Sequence, residues 1–98
     1  MSDIMREMAI EGIEKAGTNF TGKISQEQAI EMLVARLAHA REKHPVFAES
    51  NGLAFRVIDD ELDELFNAMV SEGNARIIDE ALDVAATAMR LVMGEVQG

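Results

Sequence analysis

A chain of 98 residues, 48% of them hydrophobic, builds one small domain and leaves no length for a second. Its formal net charge of -9, from 18 acids against 9 bases, argues against a nucleic-acid polymer as partner, because a phosphate backbone is repelled by most of the surface. The lack of cysteine excludes disulfides, thiolate metal sites and cysteine nucleophiles.

With four Phe, no Trp, no Tyr and seven Met, packing rests on aliphatic side chains, a diet that suits helices better than strands. The first helix is expected over Ser2 to Ala16, with Ile4, Met5, Met8, Ala9 and Ile13 on one stripe and Gly17 as its stop. Charges at Asp3, Arg6 and Glu7 argue against a signal peptide, and no apolar run approaches the ~18–20 residues that span a bilayer. A cytoplasmic protein with no membrane contact is the expectation. A loop covers residues 18–23, and Ser25 with Gln28 forms a capping box for the second helix. That helix presents Ile30, Leu33, Val34 and Leu37 and ends near Lys43-His44, since Pro45 disfavours helix just before it. Residues Val46 to Leu53 read as loop, with Asn51-Gly52 as a turn. The third helix is predicted from Ala54 to Val70, with Phe55, Ile58, Leu62, Leu65, Phe66 and Met69 inward. Gly73 is its left-handed stop and Asn74 the cap of the next. The fourth, Ala75 to Met93, carries one apolar row through Ile78, Leu82, Ala85, Met89 and Val92. A second runs through Ile77, Ala81, Val84, Ala88 and Leu91. The fold class is therefore all-α: a small four-helix domain over 1–98, with its core at 25–95 and an N-terminal helix and loop at 1–22. Its wide apolar faces favour packing as an oligomeric bundle.

The chemistry lies in the acids of the last two helices. Glu61 and Glu64 are three apart and project from nearly one side of a helix, as do Glu80 and Asp83. The connection is short, so the helices run antiparallel about position 72. Glu64 then faces Glu80 ~12 Å from the turn and Glu61 faces Asp83 at ~16 Å, at 1.5 Å per residue. Four converging carboxylates repel one another unless a cation neutralises them. Oxygen-only donors suit Mg²⁺, with Mn²⁺ as substitute. Neither pair has a His three residues after Glu, so the Glu-x-x-His pattern of di-iron bundles is missing. Taken singly, each acid is better explained as part of a solvated face; the mirrored spacing reverses that for the set.

Glu61-Leu62-Asp63-Glu64, followed after residues 65–79 by Glu80-Ala81-Leu82-Asp83, resembles the ExxE…ExxD signature of the MazG-like all-α nucleoside triphosphate pyrophosphohydrolases. Ile58 before the first motif, Val84 after the second, and a preceding helix ending in a Lys-His-Pro turn extend the resemblance over residues 25–95. It implies hydrolysis of a nucleoside triphosphate to monophosphate and pyrophosphate, with Glu61, Glu64, Glu80 and Asp83 as Mg²⁺ ligands. It also implies a homodimer or homotetramer. Glu64 is the candidate for taking the water's proton. The family's larger members place aromatic residues against the base, and this chain has no Trp or Tyr to do so.

Lys43, His44 and Arg90 are candidate substrate-binding residues. The first two also suit a helix C-terminus, and Arg90 either holds a phosphate oxygen or pairs with Glu95. His39 is expected to be structural or exposed, and Phe47 and Phe55 to be core. Two other functions fit the sequence. One is a non-catalytic oligomerisation module with an acidic face. The other is a phosphoribosyl-ATP pyrophosphatase-like enzyme, for which more basic residues would be expected.

Overall fold

Serine starts three of the four helices. Ser2, Ser25 and Ser50 are extended, and their Oγ atoms accept the backbone N–H of Met5 (3.2 Å), Gln28 (3.1 Å) and Leu53 (3.2 Å). The computed structural model describes residues 2–17 and 22–97. They form α1 (Asp3–Ala16), α2 (Gln26–Lys43), α3 (Asn51–Ser71) and α4 (Asn74–Val92), with no strand among the described residues. Of the expected loop over 18–23, residues 18–21 lie outside the described residues. α1 ends at Gly17, whose φ of 63° directs its N–H back to the Glu14 carbonyl. α2 ends at His44, just before Pro45, as expected.

Two boundaries differ from the sequence reading. α3 begins at Asn51, so the loop occupies only 44–50 and Asn51-Gly52 is no turn. Capping by Ser50 explains this. In a first helical turn the N–H groups have no intrahelical partner anyway, which lets Asn and Gly sit there cheaply. Gly73 has φ -95°, so it is not a left-handed stop. Glu72 and Gly73 are both extended, Gly73 is the N-cap of α4, and Asn74 is the first helical residue rather than the cap. A chain that reverses at once into another helix needs the extended N-cap conformation, and this leaves no room for a left-handed terminator.

The helices pack in the spatial order α2–α4–α3–α1, a flat assembly of 41 × 33 × 19 Å. α4 lies between α2 and α3, which explains its two apolar rows. Ile77 and Ala86 are buried, and Ile78, Leu82, Val84, Ala85, Ala88 and Met89 half-buried, whereas Ala81, Leu91 and Val92 are exposed. α3 turns inward the face carrying Ala54, Val57, Ile58, Glu61, Leu65 and Ala68. That choice corrects the expectation for Phe55, which is 66% exposed, and for Leu62, also exposed. The stripe is rotated because the face that meets α4 is the one bearing Glu61. α1 packs on the far side of α3, where Gly12 lies close to the Phe66 ring. The C-terminal segment folds back. Val96 forms a single parallel bridge with Ala48, and the Gln97 N–H donates to the Ala48 carbonyl at 2.8 Å, closing a cluster of Phe47, Ala48 and Ala54 with Val57 and Val96.

Candidate metal centre

The α3–α4 hairpin brings the acids together in the register set by a turn at position 72. The carboxyl of Glu64 lies against those of both Glu61 and Glu80, and Glu61 senses the charge of Asp83 across the hairpin. One carboxylate oxygen each of Glu61, Glu64 and Glu80 lies within 4.8 Å of the other two. Glu80 is only 4% exposed, Glu61 is half-buried and Glu64 is exposed. Burial, then the charges of Glu64 and Asp83, push the Glu61 carboxyl up to about 7. Burial also raises Glu80, and Arg76 opposes the shift.

Asp83 is placed differently. It lines the same cavity as Glu61 and Glu64, but its Oδ1 accepts from Arg36 Nη1 at 2.8 Å, and it stands outside the three-carboxylate cluster. Arg36 also donates from Nη2 to Asp79 Oδ1 at 2.8 Å and from Nη1 to the Asp79 carbonyl at 3.2 Å. Arg76 pairs with Glu72 at 2.9 Å and with Glu80 Oε1. Sequence reasoning missed Arg36, Arg76 and Asp79. The i,i+4 spacing of Arg76 to Glu72 and Glu80 is readable in the sequence. Arg36 depends on how α2 docks against α4, and no local pattern carries that.

The donor set fits a hard divalent cation. Two buried carboxylate oxygens, Glu61 Oε2 and Glu80 Oε2, have no hydrogen-bond partner. A buried carboxylate oxygen without a donor is costly, and a cation among three carboxylates satisfies both. All the donors are carboxylate oxygens, as Mg²⁺ and Mn²⁺ prefer.

Beside the acids lies a cavity of about 480 Å³. Glu61, Glu64 and Asp83 line it from the hairpin, and the exposed His39, Lys43 and the C-cap His44 line it from α2 and its end. Arg90 also lines it and is 3% exposed, with its Nε donating to Glu95 Oε1 at 2.9 Å and its guanidinium 5.1 Å above the Phe47 ring. Pairing with Glu95 is thus the arrangement found for Arg90. Phe47 is buried core, as expected, whereas Phe55 is not. Among the described residues no helix is long and apolar enough to cross a membrane. Comparison of the chain with models of known protein families, with curated proteins and with solved structures finds no match.

Proposed function

We propose that the chain is a Mg²⁺-dependent nucleoside triphosphate pyrophosphohydrolase of the MazG-like kind, with Mn²⁺ as an alternative cation. The observation that carries this reading is the pair of unpartnered buried oxygens, Glu61 Oε2 and Glu80 Oε2, on an ExxE…ExxD hairpin beside a cavity sized for a small molecule. Glu61, Glu64 and Glu80 would hold a divalent cation there, which would neutralise the triphosphate and make a water more acidic. Glu61 and Glu80 are the buried ligands. Glu64, exposed and lining the cavity, would take a proton from a water there. Lys43 would supply positive charge and His44 a hydrogen-bond donor for the phosphates, both lining the cavity. The run Gly17 to Lys23 fits GxxxxGK, but Ile24 stands where the motif needs Ser or Thr and a helix rather than a strand precedes it, which disfavours γ-phosphate chemistry of that kind. The expected products are one nucleoside monophosphate and one pyrophosphate per turnover. Orthophosphate should not be released, and EDTA should abolish activity. Hydrolysis in ¹⁸O-labelled water should label the monophosphate; label in pyrophosphate would mean attack at the β-phosphorus and a different mechanism.

The same reading includes a homodimer or homotetramer. Ile4, Met5 and Met8 on α1, Ile30 and Val34 on α2, and Phe55 on α3 are all exposed, more apolar surface than a small soluble monomer usually leaves to water. Light scattering at micromolar concentration should give a multiple of 10.7 kDa. A monomeric mass would sink this part of the proposal.

A further inference from the structure

Glu80 and Asp83 are held in the same manner. Each has one carboxylate oxygen gripped by an arginine: Glu80 Oε1 by Arg76, and Asp83 Oδ1 by Arg36. For Glu80 the other oxygen is the buried, unpartnered one in the acid cluster. Asp79 stands between the two arginines, with Oδ1 accepting from Arg36 and Oδ2 lying 3.7 Å from Arg76 Nη1. We infer that Arg76, braced by Asp79 (itself held by Arg36), is a positioning residue that fixes one oxygen of Glu80 so that the other is presented to a divalent cation. The inference rests on the metal reading above.

Two effects of these arginines oppose each other, and the sign of a substitution separates them. A guanidinium beside a cation site repels the incoming ion, so charge alone predicts that Arg76→Gln tightens binding. Loss of the grip predicts the reverse, because the Glu80 carboxylate is then free to rotate its unpartnered oxygen out of the cluster. The grip wins at Arg76. Its side chain is 54% exposed and its charge is screened by water, while that of Glu80 is 5% exposed and has no other donor to orient it. Arg36 is less exposed, and its fork is fixed by both a side-chain and a backbone oxygen of Asp79, so it works as an anchor from α2.

Mn²⁺ binding to the full chain, followed by the loss of the free-ion electron paramagnetic resonance signal, reads this without reference to activity. Arg76→Gln should weaken Mn²⁺ binding about ten- to a hundredfold, as loss of a hydrogen bond to a ligating group does elsewhere. Arg36 joins two helices and its loss risks the fold. Arg76 makes its ion pairs with Glu72, Asp79 and Glu80 at one end of the hairpin, so its variant, with helicity checked by circular dichroism, decides the matter alone. Unchanged or tighter binding in folded Arg76→Gln overturns the positioning role and leaves the metal reading intact. Absence of Mn²⁺ binding in the unsubstituted protein overturns both.

Discussion

Glu61→Gln should make the metal-free protein more stable and the metal-loaded protein less so. In the metal-free state this side chain has a buried oxygen without a donor, and beside it stand Glu64, Glu80 and Asp83. An amide removes the charge and supplies a donor to the neighbouring carboxylates. At pH 8 the gain should be about 1 kcal/mol after allowing for the solvent that reaches the group, or ~4–8 °C in Tm for a chain of this size. Mg²⁺ or Mn²⁺ should then raise the Tm of the unsubstituted protein, by about 2.7 kcal/mol of stabilisation at a hundred times Kd, and raise that of the variant far less. The pH dependence follows from the same carboxyl. Unfolded, it gives up its proton near 4.5; folded, it holds it to about 7. Between those values the native state binds more protons, so stability of the metal-free protein falls as pH rises through that window. Metal affinity should rise over the same range, since the ligand must lose its proton. Equal metal-induced shifts in the two proteins, or a flat profile from pH 4.5 to 7, would remove Glu61 from the site.

The hairpin register was legible in the sequence because it depends on one local fact. A short connection centred at position 72 sets Glu64 against Glu80, and the contact between them bears that out. The extent of α2 was legible for the same reason, since the Ser25 cap and Pro45 act within a turn of where they stand. The start of α3 was misplaced because Asn51-Gly52 carries a strong turn signal of its own, and only the neighbouring Ser50 reverses it. Rotation about a helix axis was not legible. The apolar residues of α3 allow a stripe through Ile58 and Leu65 to extend over either Phe55 and Leu62 or Ala54 and Val57, and the choice is made by contact with α4. Arg36 was missed for a related reason. Its partners Asp79 and Asp83 are remote in sequence and meet it only when α2 docks.

Glu95→Ala should be among the most destabilising single substitutions in the chain. Arg90 is buried, and its Nε donates to Glu95 Oε1 at 2.9 Å. Apart from that bond, its guanidinium has a 3.4 Å contact with the Pro45 carbonyl and the face of Phe47. Glu95 Oε2 also accepts from Arg41, so one carboxylate ties the end of α4 to α2. Removing it strands a buried positive charge and frees the tail whose Val96 and Gln97 pair with Ala48. Breaking a buried pair from one side costs about 3 kcal/mol, a fall on the order of 10–20 °C in Tm. The metal-induced increment should persist, because Glu95 is not among the clustered acids. Acid titration gives an independent reading. The arginines hold the Glu95 carboxyl below its ordinary value of 4.5, so its contribution is present above that pH and is lost as pH falls through the depressed value. That slope has the opposite sign to the one expected of Glu61 and lies at lower pH, which lets one pH–stability profile separate the two. A Glu95→Ala protein that melts within ~2 °C of the unsubstituted chain, or that keeps the same acid limb, would show that the tail does not secure Arg90.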